Sequence, residues 1–230
     1  MTKPVSPTLV AVAHGTKDAD GIAQLRRLCN VVRTKLPGVA IELCFVDVVE
    51  PRLAGVLEAL RGPAVVVPLL LATGHHVKSD IPSAVGDRPR TIVTAPIGPD
   101  ERVSGAVQAR LEQARAAFDW DEDEPREDEV VVMAAGSSDP EARLQLAAVG
   151  RQLEAWNSHH VTIAQLTDKD PFARLSPTVQ VATYLLSSGH FNDKLRGQTA
   201  EHVVGEPIGA HPLVAEVIVE RYLAGVSALG

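Results

Sequence analysis

One ordered set of short motifs occurs twice in this chain, and the duplication limits the folds open to it. Ala13-His14-Gly15-Thr16-Lys17-Asp18 answers to Ala134-Ala135-Gly136-Ser137-Ser138-Asp139, and Asp47-Val48-Val49-Glu50-Pro51 to Thr167-Asp168-Lys169-Asp170-Pro171. Pro68 through His75 answers to Thr183 through His190, and Pro96-Ile97-Gly98 to Pro207-Ile208-Gly209. Arg110 and Arg221 lie at the same distance beyond these last two. The spacing between equivalents shrinks along the chain, so the second half is a trimmed copy. The first trim falls between Pro171 and Val179, where the helix that follows Pro51 is almost gone.

Each copy alternates short apolar runs with amphipathic stretches. Runs such as Leu9 to Ala13 and Val65 to Leu71, rich in valine and leucine and closed by small residues, read as buried parallel strands. Strands are expected near 8–13, 39–46, 63–70 and 91–95, with helices near 18–36, 51–61 and 100–117. The second half gives strands near 130–134, 160–166, 178–186 and 201–205, and helices near 139–156 and 211–226. The expected fold is α/β, with two similar domains, each a mostly parallel four-stranded sheet flanked by helices, related by a pseudo-twofold axis. Residues 1–118 form the first domain and 130–230 the second. The carboxyl ends of both sheets then surround one cleft, the usual place for a small-molecule site.

Charge locates the boundary. The net charge is -7, and residues 119–129 alone carry eight acids and one arginine, so the remainder is neutral overall. Such a run reads as a solvated linker, with metal delivery by its carboxylates as the minor alternative. With no basic excess, nucleic acid is excluded as a partner. No apolar stretch reaches the roughly 20 residues needed to span a bilayer, so no membrane is expected. The start of the chain shows no signal-peptide pattern. Cys29 and Cys44 form no CxxC pair and read as buried free thiols, so the expected location is cytoplasmic.

The copies differ in their ionisable residues. His14 becomes Ala135 and Asp47 becomes Thr167, and the His75-His76 pair leaves only His190. The first half therefore keeps an imidazole–carboxylate–imidazole set, as in a one-site enzyme whose second half shapes the cleft. Each residue also has a plainer reading. His14 can bond to nearby backbone, His75 and His76 can sit in a surface loop, and Asp47 can cap the helix near Pro51, although Glu50 is better placed to do so. Ser137 and Ser138 can cap the helix near Asp139. A histidine phosphatase needs an arginine directly before the histidine, where Ala13 stands. A dinucleotide enzyme needs G-x-G-x-x-G after the first strand, which is missing.

Taken in order, the motifs resemble the class II chelatases of the sirohydrochlorin and cobalamin-precursor type. The resemblance rests on His14-Gly15-Thr16, Cys44-Phe45-Val46-Asp47 with Pro51, Pro68 through His76, and Asp80-Ile81-Pro82. In the second half it rests on Gly136-Ser137-Ser138-Asp139-Pro140, Gly205 through Gly209, and His211-Pro212. It implies insertion of a divalent metal, Fe2+ first, Co2+ next and Ni2+ within the wider family, into sirohydrochlorin or a related polycarboxylate tetrapyrrole, in sirohaem or cobalamin biosynthesis. The metal is a substrate, and no cofactor is permanently bound. The family's metal-handling histidines fall on His14 and His76, with His75 a bystander or a support. Its strand-end glutamate falls on Asp47, one methylene shorter, as a third ligand or a support to one imidazole. Substrate carboxylates would meet Lys17, Arg52, Lys78, Ser137, Ser138, Arg174, His190, Lys194 and Arg196. With the duplication in one chain, a monomer suffices to build the cleft. The alternative on the same fold is a tetrapyrrole or metal carrier without catalysis.

Overall fold

The computed structural model describes residues 6–118, 129–157, 160–172, 179–200 and 202–230. The expected linker, apart from Glu129, and Arg174 lie outside the described residues, as does most of the segment where the first trim was read.

The first sheet takes β1 (Thr8–Ala13), β2 (Ile41–Phe45), β3 (Ala64–Pro68) and β4 (Thr91–Val93), in the order β2-β1-β3-β4 and all parallel. The second takes β5 (Val130–Ala134), β6 (Val161–Gln165) and β7 (Gln180–Tyr184), in the order β6-β5-β7, again all parallel. Register repeats between the halves: Ala13 pairs with Phe45 as Ala134 pairs with Gln165. The fourth strand expected over 201–205 is corrected to a single parallel bridge, Val181 to Val204. Val203 and Val204 are the only apolar side chains before Gly205 there, and Pro207 cannot donate to a ladder. Among the described residues the second sheet therefore has three strands.

Helices fill the crossovers. In the first half these are α1 (Ala19–Lys35), α2 (Leu53–Ala59), α3 (Ile81–Val85) and α4 (Glu101–Ala117). In the second they are α5 (Pro140–Asn157), α6 (His190–Arg196) and α7 (Pro212–Ala228). The helices α3 and α6 were not expected, and a π-helical turn, His76–Asp80, leads into α3. Asp18 starts α1 by accepting the Asp20 and Gly21 N–H groups at 2.7 and 3.0 Å, and Asp139 accepts the Glu141 N–H at 2.9 Å at the head of α5. Glu50 accepts the Arg52 N–H at 2.7 Å at the head of α2.

Strand alternation divides the core. Leu9, Ala11, Ala13, Val65 and Val67 face a central cluster that also takes Val130, Val132, Ala134, Ala182 and Tyr184 from the second sheet. The intervening Val10, Val12 and Val66 pack under α2 and Ile81, and Val131, Met133 and Val181 pack near Leu195. Between the two inner faces lie α1, α4, α5 and α7.

The long helix that ends each half crosses to the other sheet. Helix α4 packs on β7, and α7 packs on β3 and β4. Gly225 makes the second crossing possible, since a Cβ there would stand 2.4 Å from Val65 Cγ1. The exchange is locked reciprocally: Arg110 Nε donates to the Ile208 carbonyl at 3.1 Å, and Arg221 Nε to the Pro96 carbonyl at 3.3 Å. Both thiols are buried, which pushes Cys29 up to about 11 and Cys44 up to about 12.

Candidate active site

The carboxyl ends of the two sheets enclose a cleft of about 1050 Å³, lined from residues 13–19, 69–77, 134–138 and 184–193 among others. That exceeds the roughly 300–1,000 Å³ usual for small-ligand pockets. Two matching clasps span it. On one side the Ser188 N–H donates to Gln24 Oε1 at 2.8 Å, and Gln24 Nε2 to Ser188 Oγ at 2.9 Å. On the other the Thr73 N–H donates to Gln145 Oε1 at 2.7 Å, and Gln145 Nε2 to Thr73 Oγ1 at 2.8 Å. Tyr184 Oη adds a bond to the Leu71 carbonyl at 2.9 Å, and burial raises its phenol well above the ordinary range.

The first half supplies the imidazoles. His14 directly follows β1, and its carbonyl accepts the Asp47 N–H at 3.0 Å, tying the ends of β1 and β2 together. His14 Nδ1 lies 3.1 Å from the Gly15 carbonyl. Gly15 takes φ +110°, and a Cβ on it would stand 2.1 Å from the Asp47 carbonyl oxygen, so glycine is required. His76 opens the π turn after β3. Its ring centroid lies 4.7 Å from that of His14, with planes at 74°. His76 Nδ1 is 2.5 Å from Asp80 Oδ2, and the other Asp80 oxygen is 3.4 Å from His75 Nε2. His75 is exposed, with its ring 6.5 Å from His76.

The other expected residues separate into two groups. Lys17, Ser137, Ser138 and His190 line the cleft, and Lys17 is its one lysine or arginine among the described lining residues. Ser137 Oγ accepts the Asp139 N–H at 3.1 Å, and the Ser137 N–H donates to Gln165. Arg52, Lys78, Lys194 and Arg196 are not among the lining residues, and each is bonded to acceptors elsewhere. Arg52 pairs with Asp47 at 2.8 Å and bonds the Val46 carbonyl. Lys78 bridges the halves to Asp139 at 2.7 Å and Glu141 at 3.0 Å, bonds that raise its own pKa. Lys194 donates to the Leu166 carbonyl, and Arg196 pairs with Glu206.

Asp47 stands beside the cleft rather than in its lining, where Val48 takes the place. Its Oδ1 accepts the Val48 N–H at 2.7 Å and Arg52 at 2.8 Å, and these bonds hold the carboxyl below its ordinary range. Among the described residues no group of three or more His, Cys, Asp or Glu is placed to hold a metal ion. The site is thus a two-imidazole edge with a carboxylate near each ring. In the second half Ala135 stands where His14 does, and among the described residues His190 is the one histidine that this half contributes to the lining. Asp80 and the clasps were not foreseen. The i, i+4 spacing from His76 to Asp80, and the matching positions of Gln24 and Gln145 in the repeat, carried the signal.

Fold and site together define a duplicated α/β protein with a one-sided histidine pair at a shared cleft. A family model, CbiX, matches residues 8–114. A sirohydrochlorin cobaltochelatase of Sulfolobus acidocaldarius is 30% identical over 113 residues, covering 46% of this chain and 90% of that protein. That relative is therefore about the size of one half. A sirohydrochlorin ferrochelatase of Priestia megaterium is 25% identical over 166 residues, covering 67% of this chain, and the match spans 60% of the length of that enzyme. The crystal structure of the sirohydrochlorin chelatase SirB from Bacillus subtilis subspecies spizizenii, in complex with cobalt, shares the fold with a TM-score of 0.76 at 22% identity, over 96% of each chain. This chain belongs to the CbiX family of class II chelatases.

Proposed function

We propose that this protein inserts Fe2+ or Co2+ into sirohydrochlorin or a closely related polycarboxylate tetrapyrrole, as an enzyme of sirohaem or cobalamin biosynthesis. The observation that carries this reading is the His14–His76 pair, 4.7 Å between ring centroids, on one wall of a cleft large enough for a macrocycle.

Metal insertion releases two pyrrole N–H protons as the ion enters. Neutral imidazole binds such an ion through a ring nitrogen lone pair, and the same lone pair takes a proton once the ion has moved on. His14 and His76 would hold the incoming ion at the ring face and then take up the displaced protons. A set of two imidazoles suits an ion that must leave, because a closed set of four protein ligands is the mark of a structural site. Asp47 would offset the charge of the ion, with Arg52 holding its carboxylate in place. Imidazole and carboxylate donors accept iron, cobalt and nickel alike. Lys17, with Ser137, Ser138 and His190, would meet the substrate carboxylates, joined by Arg174. On this same reading no resident cofactor is needed, both walls come from one chain, and the reaction takes place in the cytoplasm. Among the described residues no helix is long and apolar enough to cross a membrane.

Turnover decides between an enzyme and a carrier. With sirohydrochlorin and metal in large excess, absorbance should show many equivalents of metallated product per protein. A plateau at one equivalent or less would leave a carrier of the same fold.

A further inference from the structure

We propose that Asp80 is the positioning residue of the site: its carboxylate fixes His76 in the Nδ1–H tautomer and so presents Nε2, with its lone pair, to the incoming metal ion. The inference deepens the chelatase reading and rests on it for the role of the ion. The contact itself stands on geometry alone.

Asp80 occupies the N-terminal boundary of α3, where an aspartate ordinarily caps the helix. It makes no such bond. Pro82 lies in the first turn of α3 and has no N–H to offer. Both carboxylate oxygens turn instead to imidazoles, Oδ2 to His76 Nδ1 at 2.5 Å and Oδ1 to His75 Nε2 at 3.4 Å. The two residues His76 and Asp80 are four apart in a helical turn and so lie on one edge, and across the same turn the Ile81 N–H bonds the His76 carbonyl. A carboxylate accepts and cannot donate, so the His76 nitrogen facing it must carry the proton. Nε2 is then the nitrogen left for the cleft. A carboxylate behind a metal-binding histidine fixes its tautomer and raises its basicity, and loss of such a partner typically costs 10–100-fold in metal affinity. Asp47 Oδ1 is engaged elsewhere, by Arg52 and the Val48 N–H.

Two measurements test this on the full chain. In the metal-free protein, ¹⁵N NMR of the His76 ring above its titration should show a protonated Nδ1 and a bare Nε2. A dominant Nε2–H form would overturn the proposal, whatever the cleft binds. Asp80→Asn should then lower affinity for Co2+ alone by about 10–100-fold and raise the Nε2–H fraction. The thermal midpoint should stay that of the wild type, because no cap bond is lost. A folded Asp80→Asn protein that binds Co2+ as tightly as the wild type would also overturn it. Should the variant not fold, the wild-type tautomer decides. A protein with the Nδ1–H form that inserts no metal into a tetrapyrrole would refute the chelatase reading and leave the placement of Asp80 intact.

Discussion

The duplication allows one substitution to be made twice, once with and once without chemistry beside it. Gly15 and Gly136 are equivalent glycines with φ of +110° and +116°. Alanine at either position faces backbone strain of about 1–3 kcal/mol. For a chain of this length each kcal/mol lowers the melting temperature by about 2–4 °C, so each variant should lose between about 2 and 12 °C. The clashes differ in kind. At Gly15 the new Cβ stands 2.1 Å from the Asp47 backbone carbonyl, well inside the 3.0 Å that Cβ contacts respect. The His14 and Asp47 loops must part by about an ångström, a displacement of the size that can cost about 10²-fold in rate. At Gly136 the new Cβ stands 1.9 Å from Thr167 Oγ1, at a loop with no histidine or carboxylate equivalent to His14 and Asp47. Calorimetry and metal-insertion rates on both variants separate strain from chemistry. Gly15→Ala should lose stability and about two orders of magnitude in rate, whereas Gly136→Ala should lose comparable stability and little rate. Equal rate losses in the two would refute the assignment of the chemistry to the first half.

Other outcomes follow from the contacts between halves. Gln145→Ala leaves the Thr73 N–H without its acceptor and should cost about 1–3 kcal/mol in chemical denaturation. Gln24→Ala should do the same at Ser188, and the double change should be nearly additive if the two clasps are independent. Asp100 ties α4 to α7 by accepting from Arg102 at 2.9 Å and Arg221 at 3.3 Å. Burial opposes its ionisation, but Arg102 and Arg221 outweigh that and hold its carboxyl below the ordinary range. Its contribution is therefore complete above the unfolded value of about 3.9 and is lost as pH falls through the lower folded value. Asp100→Asn should flatten that acid limb in a pH series of melting curves.

How far the sequence carried depended on what each feature encodes. Valine-rich runs ending in small residues placed β1, β3 and β5 to within a residue or two, because buried parallel strands need that composition. The segment 201–205 offered only Val203 and Val204 as strand formers, and its described residues formed one bridge. The π turn, α3 and α6 were missed because five or seven residues are too few for helical periodicity to show. Val103, Val107 and Leu111 declared that α4 has a buried face, and nothing in their spacing says which sheet covers it. The histidines were legible because they follow strand ends. The rim cations were not, because Arg52, Lys78 and Arg196 each stand near an acid that the fold brings within ion-pair distance. Asp47 was read at its true place, the end of β2, but the orientation of its carboxylate depends on Arg52 and the Val48 N–H.

The most direct measurement is metal insertion by the double variant His14→Ala, His76→Ala, followed by absorbance with sirohydrochlorin and Co2+ or Fe2+. The account predicts a folded protein whose product forms no faster than in a protein-free mixture. Insertion by that variant clearly above the spontaneous rate would contradict it.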